Sequence, residues 1–100
     1  MAEKFGKGLT TLVIDDWRTA QVTVDNNFTQ LPDRKANQLV IENTTGKQIG
    51  FRRNAYPTDD PYIIQTGNAF TLPLASNTNE VSLANLTDAT NVTLSYYIAQ

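Results

Sequence analysis

Histidine and cysteine are absent from this 100-residue chain. That absence excludes a Ser-His-Asp triad, a Cys-His pair, His or Cys metal ligands, disulfides and thiol redox motifs. Charge is also scarce, with 8 basic and 10 acidic residues and a net charge of -2. Such a balance gives no electrostatic reason to wrap a nucleic acid, and none is expected as a partner. Apolar runs such as Leu12-Val13-Ile14 fall far short of a membrane span, so no membrane partner is expected either. The first eight residues lack the apolar stretch of a signal peptide, and production in a cytoplasm is expected.

Uncharged polar residues fill the space that charge leaves. The chain holds 14 Thr, 10 Asn, 6 Gln and 3 Ser, more than all its charged residues together. Asn-x-Thr triplets at Asn27, Asn43, Asn85 and Asn91 match the glycosylation acceptor pattern, but this composition produces such triplets by chance. One small core is feasible at this length, since a chain of this size buries roughly 60–70% of its unfolded surface.

The dominant rhythm has period two, the period of a strand with one buried face. Val92, Leu94, Tyr96 and Ile98 alternate with Thr93, Ser95 and Tyr97. Phe70, Leu72 and Leu74 repeat the pattern, as do Ile49 with Phe51, Val81 with Leu83, and Val22 with Val24. Pro73 cannot donate to a ladder, so its strand belongs at a sheet edge. Gln38 to Glu42 and Tyr62 to Ile64 are continuous apolar runs suited to central strands. Leu9 to Ile14 is a further strand candidate. Single helical turns are conceivable at Asp33 to Gln38 and from Asp15.

Turn signals separate these runs. Asn43-Thr44-Thr45-Gly46-Lys47 and Gln65-Thr66-Gly67-Asn68 read as hairpin loops, with glycine supplying a positive φ. Residues 76–79 and 87–90 are polar connections, and residues 54–61 form the longest loop. Strands recurring about every ten residues predict an all-β fold. The expected form is a single small antiparallel β-sandwich, immunoglobulin-like or jelly-roll-like, of about seven or eight strands. Residues 1–8 read as a flexible N-terminal arm and residues 9–100 as the single domain.

The side chains offer little chemistry. Asp15-Asp16, Asp25, Asp33, Asp59-Asp60 and Asp88 lack EF-hand spacing, and aspartates in turns are ordinarily solvated. No catalytic residue, metal or cofactor is expected, and the protein is expected not to be an enzyme. Candidate partner-binding residues are Phe5, Trp17, Arg52, Arg53, Tyr56, Tyr62 and Tyr97. Arg52-Arg53 is a tight basic pair, in which Arg53 shares the side of Phe51 and Arg52 faces away. Exposed aromatics and arginines are common interface anchors. Phe51, Phe70 and Tyr96 are expected in the core.

From Gln38 to Ile98 the chain has a recognisable texture: an apolar strand into Asn-Thr-Thr-Gly, a strand ending in Arg-Arg, then Ile-Ile-Gln-Thr-Gly-Asn, Phe-Thr-Leu-Pro-Leu, Asn-Glu-Val-Ser-Leu-Ala-Asn and Val-Thr-Leu-Ser-Tyr-Tyr. It resembles the small all-β virion proteins of tailed bacteriophages, especially capsid decoration or cement proteins. The resemblance implies a structural role on the capsid surface, with the major capsid protein and copies of itself, as a homotrimer, for partners. A carbohydrate- or receptor-binding module of a phage tail or fibre is the alternative it leaves open.

Overall fold

The computed structural model describes residues 18–99. The strand candidate at 9–14, the N-terminal arm, the helical start at Asp15, and Phe5 and Trp17 lie outside the described residues. Within them run eight strands: β1 (Arg18–Val24), β2 (Thr29–Gln30), β3 (Gln38–Glu42), β4 (Ile49–Arg53), β5 (Tyr62–Ile64), β6 (Ala69–Pro73), β7 (Val81–Asn85) and β8 (Val92–Ala99). A 3-10 turn, Thr78–Glu80, leads into β7. The segment Asp33 to Gln38 holds no helical turn; Lys35 instead forms a β-bridge with Asn77.

These strands build two four-stranded antiparallel sheets, in the orders β1-β8-β3-β6 and β2-β7-β4-β5. Ladders join β1 to β8, β2 to β7, β3 to β6 and β4 to β5. This is the pairing of one long hairpin rolled over on itself, the jelly roll. The sandwich expected from the alternation is therefore present, in its jelly-roll form.

Rolling changes what the loops do. The segments at 43–47 and 65–68 are not hairpin loops, because each carries the chain from one sheet to the other. They lie side by side: Gly67 N–H donates to Asn43 O at 2.7 Å, Asn43 N–H to Asn68 O at 2.9 Å, and Gly46 N–H to Thr66 Oγ1 at 2.9 Å. Gly46 and Gly67 do take positive φ, +80° and +88°. Of the connections between neighbouring ladder partners, the hairpin is β4–β5, through the long 54–61 loop. β5 is correspondingly an edge strand and not a central one, so Tyr62 and Ile63 are exposed despite their apolar neighbours. β6, with Pro73, is an edge strand as expected.

Leu39, Ile41, Leu94, Tyr96 and Ile98 project from one sheet against Ile49, Phe51, Ile64, Val81 and Leu83 from the other, and all are buried. Each such side chain contributes about 1.5–3 kcal/mol relative to exposure. The outer face of the first sheet carries Thr23 and Thr93, whose hydroxyls meet at 3.1 Å across the β1–β8 ladder.

Asparagine anchors the turns. Asn43 is buried; its Nδ2 donates to Lys47 O and Ile64 O at 2.7 Å each, and its Oδ1 accepts from Thr45 N–H at 3.0 Å. Asn85, also buried, donates to Thr90 O and Asp88 Oδ1 and accepts from Thr87 N–H at 2.9 Å. In both Asn-x-Thr triplets the amide thus closes a turn onto the backbone N–H two residues on. A buried amide with its hydrogen bonds filled is not available to a glycosylating enzyme.

Candidate functional site

A groove opens where the β4–β5 hairpin of one sheet faces the β6 edge of the other. It encloses about 540 Å³ and is lined by Phe51, Arg53, Tyr62, residues 70–75, Glu80 and Val81. Its floor is the margin of the core, since Phe51, Leu72 and Val81 are buried. Its wall is aromatic. Phe51 stacks on Tyr62 with centroids 5.2 Å apart and planes at 18°, and Phe70 tilts against Phe51 at 5.0 Å. Tyr62 and Phe70 stand 6.2 Å apart.

The ladder explains this clustering. Phe51 pairs with Tyr62 across β4–β5, so both rings point to the inner face. Phe70 points inward from β6, opposite Ile41. Because β5 and β6 both end their sheets, no further strand covers these rings. Tyr62 is 64% exposed and Phe70 39% exposed. Phe70, expected in the core, lies at its open margin instead, while Phe51 and Tyr96 are buried as expected.

Two charged side chains line the groove. Glu80 closes the 3-10 turn through a capping box with Asn77. Its Oε1 accepts from Ala75 N–H at 2.9 Å and its Oε2 from Ser76 N–H at 2.8 Å and Asn77 N–H at 2.9 Å. These backbone donors, Ala75 foremost, hold its carboxyl below the usual range. Arg53, at the end of β4 opposite Val81, presents its guanidinium 5.4 Å from the Tyr56 ring centre. That guanidinium makes no hydrogen bond to another described residue.

The expected site residues therefore separate. Arg53 and Tyr62 line the groove, and Tyr56 joins them only through the approach of its ring to the Arg53 guanidinium. Arg52 does not; it points to the outer face, its guanidinium 3.9 Å from the Phe28 ring centre. Tyr97 is half-buried on the other sheet and donates its hydroxyl to Glu42 Oε1 at 2.8 Å. Phe5 and Trp17 fall outside the described residues. Phe51, Phe70, Leu72 and Glu80 are groove residues that the alternation alone assigns to core or loop. Pro73 placed the Phe70 strand at an edge, and the Asn77-x-x-Glu80 spacing of a capping box is the signal that could have found Glu80.

The turn carboxylates of Asp25 and Asp88 are occupied by the chain itself. Asp25 Oδ1 accepts from Asn27 N–H at 2.8 Å, and Asp88 pairs with Lys47 at 2.7 Å. Among the described residues, no three acidic side chains converge as metal ligands would.

No protein-family profile matches the chain. No curated protein matches it either. Solved structures do. The chain is similar to vicilin from Solanum lycopersicum (tomato), with a TM-score of 0.58 and 17% identity over 87% of this chain and 23% of the vicilin. Vicilin from Corylus avellana (hazelnut) matches with a TM-score of 0.58 and 15% identity, over 87% and 24% of the two chains. An RmlC-like cupin protein from Desulfovibrio desulfuricans aligns over 99% of this chain and 96% of its own, at a TM-score of 0.46 and 15% identity. The chain thus spans about a quarter of the length of the vicilins it matches.

At these identities the likeness is one of fold. The fold is shared with about a quarter of each vicilin chain, and no phage virion protein is among these matches, so the phage reading is corrected throughout. The capsid-decoration role, the tail or fibre alternative, the major capsid protein and homotrimer as partners, and the capsid-surface location all fall with the resemblance. The physical reason is plain. Alternating Val/Leu/Thr strands joined by Asn/Gly turns are what any small jelly roll requires, whatever it serves.

Proposed function

We propose that the chain is a non-enzymatic binding module whose groove at the β5 and β6 edges receives a planar apolar group. The observation that carries this reading is the three-ring cluster of Phe51, Tyr62 and Phe70. One ring is buried and two are exposed at the mouth of a cavity of about 540 Å³. That volume lies in the range of small-molecule sites, which are mostly apolar with a few polar groups. Exposed rings held by a buried one offer stacking faces at low entropic cost, because the ladder has already fixed their orientation. The groove's carboxylate supports binding over catalysis, since Glu80 is spent on three backbone donors.

Titration of the isotope-labelled chain with 2-naphthalenemethanol tests the reading. Saturable amide shifts confined to residues around Phe51, Tyr62, Phe70, Leu72 and Val81 are expected. Tyr62→Ala combined with Phe70→Ala should abolish them while leaving the other strands unperturbed. Absence of saturable shifts, or shifts scattered over both sheets, would overturn it.

A further inference from the structure

The two charges at the groove are not equivalent, and their difference specifies the ligand. Both Glu80 carboxylate oxygens already accept hydrogen bonds, three in all, from backbone N–H groups of residues 75–77. Its charge closes the 3-10 turn; Arg53 attracts it from beyond salt-bridge distance, as the weakest of the influences that lower its carboxyl pKa. The Arg53 guanidinium lies 5.4 Å from the Tyr56 ring centre, and its charge also attracts the Glu80 carboxylate. A guanidinium carries five donors in a planar fork, and here none of them goes to another described residue. The fork stands on the rim above an apolar floor of Phe51, Leu72 and Val81. No lysine or second arginine lines the groove. The neighbouring Arg52 is turned to the opposite face of the sheet, against Phe28.

Resting on the reading of the groove as a binding site, we infer that its ligand is a planar aromatic acid. The ring system lies against Tyr62 and Phe70, and the carboxylate engages the Arg53 guanidinium in a bidentate pair. The geometry of the fork matches two carboxylate oxygens, and a charge-assisted pair of this kind is about twice as strong as neutral hydrogen bonds. The Glu80 charge opposes the ligand's charge, but at a solvated rim that repulsion acts through high dielectric. The direct hydrogen bonds to Arg53 act at contact. The Tyr56 ring, with its centre 5.4 Å from the guanidinium, is within cation–π range of the fork.

The test compares 2-naphthoate with 2-naphthalenemethanol, two probes with the same ring system and different heads, on the full chain at neutral pH. Calorimetry should show naphthoate binding tighter by about tenfold, the scale of one charge-assisted pair at a rim. Arg53→Gln should erase that preference, so that the two probes bind the variant with equal affinity. Arg53→Lys should keep only part of it, because the ammonium cannot form the fork. Arg52→Gln should change nothing. Raising the salt should shrink the naphthoate preference and spare the alcohol. Equal affinities for the two probes, or a preference that survives Arg53→Gln, would overturn the acid assignment and leave the groove standing as a binding site. Failure of both probes to bind would overturn the groove reading and this inference with it.

Discussion

β7 and β6 are each five residues long, and both have an alternating pattern with an apolar inner face. Every residue of β7 is buried, yet in β6 only Leu72 is. The difference comes from position, not composition. β7 lies between β2 and β4 in its sheet, and Phe28 and Arg52 stack over the outer face beside Ser82. Leu86 lies against Gly50 on that same face, so close that a Cβ on Gly50 would meet Leu86 Cδ1 at 2.8 Å. β6 has a neighbour on one side only, and its other margin is the groove. The chain therefore has a strand that serves stability and a strand that offers surface, built from the same pattern.

That contrast breaks if charge is tolerated equally in both strands. Leu83→Asp, at a fully buried β7 position, should unfold the domain. It loses about 1.5–3 kcal/mol of apolar burial and leaves a buried, unpaired charge. Thr71→Asp in β6 should stay within about 0.5 kcal/mol of the parent in urea denaturation. Equal midpoints for the two variants would refute the division.

The aromatic cluster sharpens the same contrast by one step. Phe51→Ala should cost about 3–5 kcal/mol, as a buried phenylalanine does. Phe70→Ala should cost clearly less, because solvent already reaches 39% of that residue against 5% of Phe51. If thermal melts show the two losses to be equal, Phe70 belongs to the core and the groove is not open.

A smaller effect is expected at the polar end of β7. Asn85→Ala removes the hydrogen bonds that this buried amide makes to the Thr87 N–H and the Thr90 carbonyl, and should cost about 1–3 kcal/mol in urea denaturation. Thr71→Ala, the corresponding deletion on β6, should be near neutral. An Asn85→Ala variant as stable as the parent would mean that water replaces the amide in closing that turn.

The smallest effect is a pH dependence at the entry to β7. Glu80 has a carboxyl pKa held below its ordinary value of 4.5, chiefly by backbone donation from Ala75. A depressed folded-state pKa contributes stability above the unfolded value, lost as pH falls through the folded one. The melting temperature of the parent should therefore approach that of Glu80→Gln as pH is lowered through and below 4.5. A gap that stays constant with pH would show that the capping bonds are not what Glu80 contributes.

Much of the architecture was legible because period-two alternation reports burial on one face directly. Leu94, Tyr96 and Ile98 are buried where the pattern placed them, and Pro73 marks an edge. Tyr62-Ile63-Ile64 misled because an apolar run signals a central strand only when neighbours cover both of its sides. The hairpin expectations failed because a loop's composition encodes a reversal of direction and not which sheet receives the next strand. Asn43 shows the missing information: its bonds reach Ile64 and Asn68, more than twenty residues away. The site was legible in fragments. Arg53 and Tyr62 were named, but Phe70 and Glu80 join them only through pairing between distant strands.

By itself the sequence determined the chemistry available to this protein. Without histidine or cysteine, it must work with rings, guanidiniums, ammoniums, carboxylates, hydroxyls and hydrogen-bonding amides. It also determined that the chain makes strands, since local periodicity and turn residues act over a few positions. Only the tertiary structure decided which strands are edges, which of two adjacent arginines faces the groove, and which rings stay in contact with solvent. Those outcomes depend on ladders between strands far apart in the chain, and no local pattern records the partner across a ladder.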